Sequence, residues 1–368
     1  MGGGISGCAT AYELARAGAD VRLIERFDLN TQGSGYNAGS LHAQIQHEPF
    51  LRLGESWARS FEPATRFLCD SIDRWRALPE DVAATLELKI GGGVLVAATE
   101  AQLRDVERKV RIEREQGLDV ELLGRDELRA IAPYVSDRMA GGELCRTEGK
   151  ANPLLAAPAF ARAAERAGAT FDLRTELLGL AREGDGFVAT TSAGTVACRR
   201  VVSCGGIDAG RVTAMLGPGL PVQGVPIQAS VTEPVAPLIP HLLYFAGEPL
   251  TLKQAAAGSL LIGGGWPAAL DGAGRPVVDG ASLRENLRVA TTVVPAVANA
   301  RLLRTWAGFV NGLDDWLPIV GEIVPGVFVG VFPWMGFTAG PLMGEVLAAL
   351  ALGRPAGRDL APFSPGRF

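Results

Sequence analysis

Three glycines near the start of the chain constrain its fold more than any other feature. Gly2, Gly4 and Gly7 stand in the spacing G-x-G-x-x-G. The stretch that follows, ISGCATAYELARAGAD, repeats apolar Ile5, Ala9, Leu14 and Ala15 near helical spacing. Gly18 stands where a glycine cap ends a helix. VRLIE then reads as a buried strand closing on Glu25, roughly 20 residues past Gly7. Glycine turn, helix, strand and acid together are the fingerprint of a dinucleotide-binding unit. Gly2 permits the tight turn, Gly4 lets the backbone approach a pyrophosphate, and Gly7 lets the helix pack close to the sheet. The helix N-terminus offers free N–H groups and a positive dipole end to the phosphates. Glu25 accepts hydrogen bonds from ribose hydroxyls and repels a 2′-phosphate, which disfavours NADP.

A strand belongs before such a turn, and only Met1 stands there. That strand is central in a doubly wound sheet. We therefore expect the natural product to begin upstream of Met1, with the first Rossmann strand missing from the chain as written. Composition removes other classes. The chain is 48% hydrophobic and 20% charged, which excludes intrinsic disorder. Thirty-five basic against 40 acidic side chains give −5, which does not suggest a nucleic-acid partner. Five Cys without a C-x-x-C pair suggest a reduced, cytoplasmic setting. Three scattered His argue against a metal site. No stretch approaches 18 uncharged apolar residues, so neither a membrane span nor a secretory signal is expected.

Further along, residues 27–50 form a loop rich in Gly, Ser and Asn, and 51–78 read as one helix. A strand over 90–98 precedes two amphipathic helices broken near Gly117, with DVELL between them. Residues 151–171 read as a helix running into another strand, and VVSCGG as a strand feeding a turn. Successive antiparallel strands fill 221–266, with a further one over 301–310. VFVGVF (327–332) is a buried strand, and PLMGEVLAALALG a helix capped by Gly353. The fold class is therefore α/β with α+β character and two domains. A discontinuous Rossmann-like domain (1–50, 150–220 and 311–368) alternates with a substrate domain (51–149 and 221–310) built on a mainly antiparallel sheet covered by helices.

GGGISG, LIER, GSGYNAGS, VVSCGG, RTWAGF with Pro318 downstream, and GFTAGP occur in that order. Together they resemble the FAD-dependent oxidoreductases of the D-amino-acid oxidase (DAO) superfamily, over the whole chain. GSGYNAGSLHAQ, LTLKQ and GGGW most resemble the flavoprotein subunits of opine oxidases, hydroxyproline dehydrogenase and hydrogen cyanide synthase. The resemblance implies FAD, with Gly2, Gly4, Ser6 and Gly7 at the pyrophosphate. It puts Glu25 at the adenosine ribose, Arg26 near the adenine and Ser34 at a phosphate. Asn37, Gly39, Ser40 and Leu41 would line the isoalloxazine. Leu177, ending the strand after the 154–167 helix, would bond adenine through its backbone, and Gly206 would pack on the adenosine side. Gly336, Phe337 and Thr338 open the last helix, whose N–H groups would face the flavin O2.

The chain departs from the family in three places. Where glycine oxidase and its relatives follow W-x-G with a carboxylate-gripping Arg, Val310 stands. Leu261 occupies the place of the lysine that assists oxygen in monomeric sarcosine oxidases, with Lys253 one strand earlier. No Cys follows Cys204, so the Cys–flavin link of those enzymes is impossible and FAD is expected to be non-covalent. The candidate catalytic residues are His42, Tyr244, Lys253 and Trp334. For each a bland reading stands beside the functional one: a loop His, a sheet-core aromatic, a solvent-facing strand Lys, a packing Trp. The implied function is FAD-dependent oxidation of a C–N bond of an amino acid or secondary amine, giving an imine that water hydrolyses. Relatives of this kind often work with a second flavoprotein and an iron–sulfur subunit. The alternatives are an NAD-dependent dehydrogenase, which leaves GSGYNAGS and GFTAGP unexplained, and a flavin-binding subunit acting in electron transfer or assembly without its own amine oxidation.

Overall fold

The glycine turn opens the helix Ile5–Arg16, as the fingerprint requires. A Cβ on Gly7 would lie 1.8 Å from the Gly2 carbonyl oxygen, so no side chain fits where this helix meets the turn. The structure, a computed structural model, describes residues 1–368. Arg22–Ile24 pairs in parallel with Thr170–Asp172. Val201–Ser203 pairs in parallel with Val327–Val331, which pairs antiparallel with Ile319–Val324. The backbone of Met1 and Gly2 runs between these two groups. The Met1 ammonium donates to Val202 O, Gly2 N–H to Ile24 O, and Cys204 N–H to Met1 O. The last helix, Gly336–Ala351, lies against the first. A Cβ on Gly344 would stand 2.4 Å from Ala9 Cβ, so glycine sets this close crossing.

The second part is an eight-stranded sheet in the order Leu302–Gly312, Gln223–Pro234, Ser259–Gly263, Thr251–Gln254, Leu242–Phe245, Gly93–Ala97, Gly141–Cys145, Val120–Gly124. Every pairing is antiparallel except that of Leu242–Phe245 with Gly93–Ala97. Alternation divides its faces. Leu95, Leu242 and Tyr244 join the core that also holds Trp75, Phe160 and the first helix. Val94, Leu243, Leu252, Leu260 and Ile262 pack instead with Leu128, Val289 and Val293 of the covering helices. No helix is long and apolar enough to cross a membrane.

Three readings of the sequence change. The helix expected over 51–78 is two helices, His47–Ser60 and Glu62–Asp81. Gly54, at φ +83°, interrupts the first, and Pro63 starts the second. A three-stranded sheet, Leu177–Glu183, Gly186–Thr191 and Gly194–Cys198, fills a stretch read without strands. Its buried apolar positions, Leu177, Leu180, Phe187 and Ala189, are scattered among exposed and polar ones, so no long apolar run marks the strands. Leu177 consequently opens this sheet. The strand after the helix Pro153–Arg166 is Thr170–Asp172, which ends before it.

Candidate active site

A cleft runs from Glu25 and Asp208, past Gly4 and Ser34, to Asn37 and Gly336. Helix ends supply its donors. Ile5 N–H donates to Ser34 Oγ at 3.0 Å, while the N–H groups of Ser6 and Gly7 find no acceptor in the protein. The Glu25 carboxylate accepts from Gly3 N–H at 2.6 Å and Phe27 N–H at 2.7 Å. An ionised carboxylate offers about four acceptor sites, so room remains for hydroxyl donors. Arg26 pairs with Asp208 at 2.6 Å and lies over the Phe27 ring. Gly206 and Leu177 line the same end, but the Leu177 carbonyl already accepts from Arg211 at 3.1 Å.

At the other end of the cleft the N–H groups of Gly336, Phe337 and Thr338 are also without acceptors. The Thr338 hydroxyl accepts from His42 N–H at 3.0 Å and donates to Ser40 O at 3.3 Å. Its carbonyl accepts from Ser71 at 2.7 Å and Trp75 at 2.9 Å. These bonds fix the helix end against the strand Ser40–Leu41. That strand turns Ser40 towards the space beyond and Leu41 into the core, fully buried. Gly39 sits against Ala151 O, where a Cβ would clash at 2.1 Å. Neither Gly39 nor Leu41 lines the cleft or the space beyond it, and only their backbones remain available to a ring.

Past Asn37, Val310, Trp334 and Phe337, which face both spaces, the cleft meets a chamber of about 820 Å³. Tyr36, Trp306, Phe309, Trp316 and Trp334 give it aromatic walls. Trp316 and Trp334 stack at 4.9 Å, and both hold left-handed backbones, at φ +65° and +59°. For bulky residues this is strain of order 1–3 kcal/mol each, of the kind that gathers at functional sites. Trp334 Nε1 is buried without an acceptor. The chamber's only Lys or Arg is Arg52, half-exposed and paired with Glu48. No cation marks its inner end, where Val310 stands.

His42 lines that inner end as part of a buried chain of groups. Its Nδ1 lies 2.7 Å from Tyr244 OH, which donates to Glu148 Oε2 at 2.8 Å. Glu148 also accepts from the N–H groups of Ala43 and Gln44 and from Gln44 Nε2. Gly93 makes room for it, since a Cβ there would lie 1.8 Å from Glu148 Oε2. With Tyr244 donating to Glu148, His42 Nδ1–H donates to Tyr244 and Nε2 keeps its lone pair. Burial, and then the charge of Lys253, hold the His42 pKa down at about 3, so the ring is neutral. Beyond Gln44 lies fully buried Lys109, 2.6 Å from Glu113 and 2.8 Å from Glu143. Lys253 is buried too, so its solvent-facing reading falls. Glu148, Lys109 and Trp316 were not foreseen. Glu148 carries no local signal, being one acid in a turn between two strands, with partners roughly 100 residues away in sequence.

The comparisons agree with this geometry. The family model described as DAO, FAD dependent oxidoreductase, matches residues 1–350. The chain belongs to the DAO family of FAD-dependent oxidoreductases. This family member is similar to glycine oxidase of Geobacillus kaustophilus, 28% identical over 99% of this chain and 95% of that one. The crystal structure of that enzyme superposes with a TM-score of 0.85 over 100% of this chain and 97% of the other. It is also similar to the beta chain of sarcosine oxidase from an Arthrobacter species, 27% identical over 100% of this chain and 90% of that one. One of the subunits of opine oxidase from Rhizobium meliloti is 26% identical over 100% of this chain and 96% of that one. The residues fit the family's cofactor. Two helix N-termini with acceptor-less N–H groups border one cleft, one partway along it beside the acid Glu25 and one at its far end.

Proposed function

We propose that this FAD-dependent oxidoreductase oxidises the C–N bond of a small amino acid or secondary amine, using non-covalent FAD. The observation that carries the reading is the cleft itself, which leads from the Glu25 end to a chamber lined by neutral His42. Ser6 and Gly7 N–H groups would hold the pyrophosphate with Ser34 nearby, Glu25 the ribose, and Gly336–Thr338 the flavin's carbonyl edge. When bound, FAD supplies an acceptor for the hydrogen and electron pair of the substrate's α C–H. The chain's own residues bind and orient. Aromatic walls hold the apolar body of the substrate and exclude water. His42 Nε2 accepts a hydrogen bond from the amine and favours its neutral form, while Tyr244 and Glu148 fix the tautomer. Water then hydrolyses the imine to a carbonyl compound and an amine.

The FAD-binding part is 1–50, 150–220 and 311–368, and the substrate part 51–149 and 221–310. Five unpaired cysteines support a cytoplasmic site of action. Relatives named as subunits support assembly with other chains, and we propose a second flavoprotein and an iron–sulfur subunit as those partners. The absence of a cation beside Val310 favours a second reading, a flavin subunit that passes electrons without oxidising an amine itself. The test is chemical. Acid precipitation of the purified protein leaves the yellow colour in the supernatant, and turnover of an N-alkyl amine releases equal amounts of carbonyl and amine. Colour in the pellet contradicts non-covalent FAD, and no product from any amine supports the subunit reading.

A further inference from the structure

The chain has four lysines, and two of them are fully buried on quite different terms. Lys109 lies between two glutamates. Lys253, 1% exposed, makes a single hydrogen bond, to Ser40 Oγ at 2.7 Å, and has no acidic partner. An ammonium has three donors, and burying one without an anion is costly. Burial and the neighbouring Lys150 accordingly pull its pKa down to about 7. The surroundings of Lys253 are short of one negative charge.

The place of that deficit is informative. Lys253 projects from the sheet face that also carries Thr251 and Tyr244, beneath the strand Ser40–Leu41. Ser40 lines the chamber and Lys253 does not, so the hydroxyl stands between the ammonium and the substrate space. The same Ser40 accepts the Thr338 hydroxyl through its carbonyl. Thr338 belongs to the first helical turn whose N–H groups lack acceptors. Two positive features, an unpaired ammonium and a helix N-terminus, thus meet across one residue.

We propose that Lys253 and the N-terminus of the helix Gly336–Ala351 form one anion-stabilising site, whose occupant is the negative charge that bound FAD acquires on reduction. This rests on the FAD placement proposed above. The substrate's C–H supplies the electrons, and solvent supplies any proton that Lys253 takes up. Once the charge arrives, the ammonium gains its missing partner and holds its proton more tightly.

The test compares FAD-loaded wild type with Lys253→Met by flavin midpoint potential and by the Kd of sulfite, which adds reversibly to flavin and places similar negative charge on the ring. Lys253→Met is expected to bind sulfite at least tenfold more weakly. Its two-electron reduction equilibrium should also fall at least tenfold, about 30 mV. Unchanged values overturn the proposal. Should Lys253→Met not retain FAD, Lys253→Gln carries the same comparison. Wild type gives a further readout. Between about pH 7 and 9, uptake of an extra proton on reduction steepens its potential by about 30 mV per pH unit, and a one-proton slope throughout overturns the proposal. Facing groups separate cleanly. His42, held at about 3, and Tyr244, pushed well above its ordinary value, stay neutral over this window. Lys150, lowered to about 8, does titrate in it, so Lys150→Met is run alongside and must keep the excess slope. Failure of the FAD reading looks different, because wild type then binds no FAD.

Discussion

Lys109→Met is expected to destabilise the protein by about 3–5 kcal/mol, the cost of leaving a buried ion pair with one side missing. Lys109 is fully buried between Glu113 and Glu143, and it reaches Gln44 Oε1 at 3.4 Å. Its removal strands two carboxylates beside each other in the interior. Burial and the charge of Glu143 already push Glu113 well above its ordinary pKa. In the variant the Lys109 charge no longer offsets that push, so Glu113 must be neutral for the fold to persist. A raised folded-state carboxyl pKa means protons are bound more tightly folded than unfolded, so stability falls as pH rises. Denaturant unfolding of Lys109→Met should therefore show the larger loss at pH 8 and a smaller one near pH 5. Adding Glu113→Gln and Glu143→Gln should recover part of the loss. A midpoint within about 1 kcal/mol of wild type at pH 8 would contradict the account. Because Gln44 also holds Glu148, and Glu148 holds Tyr244, the loss should spread to the His42 end of the chamber.

Gly7→Val and Gly336→Val are expected to lose FAD for opposite reasons. At Gly7 a Cβ meets the Gly2 carbonyl at 1.8 Å, so the turn itself must move. At Gly336 nothing lies within 4 Å of a Cβ, and the residue borders the cleft. Gly7→Val should lower both stability and FAD affinity, the latter at least a hundredfold, about 2.7 kcal/mol. Gly336→Val should unfold within about 1 kcal/mol of wild type, apart from the modest helix-propensity change. Only its FAD affinity should fall, at least tenfold. Thermal unfolding and FAD titration of the apoprotein measure both. Undiminished FAD binding by Gly336→Val would remove the last helix from the cofactor site.

The sequence was most legible where chemistry is local. The fingerprint over residues 2–25, the strands of 221–266 and the body of the last helix from Pro341 each depend on neighbours a few residues apart. Legibility failed where meaning depends on distant partners. Alternation in LTLKQ placed Lys253 on a face but could not say whether that face was wet, because Ser40 closes it from another part of the chain. The family resemblance puts Leu41 beside the flavin ring, yet strand geometry turns its side chain into the core, opposite Ser40. Glu148 looks like any turn acid until Ala43, Gln44 and Tyr244 converge on it. Trp316 and Trp334 carry no periodic signal, since their positions come from left-handed backbones that only tertiary packing sustains.

The central claim is that an amine enters the aromatic chamber and reduces flavin held in the adjoining cleft. An anaerobic spectral titration of the FAD-loaded protein with amino acids, opines and secondary amines tests it most directly. The account predicts that at least one compound bleaches the visible flavin band, and that admitting air then separates oxidase from dehydrogenase behaviour. A flavin band that no amine bleaches would contradict it and would leave the chain as an electron-passing subunit.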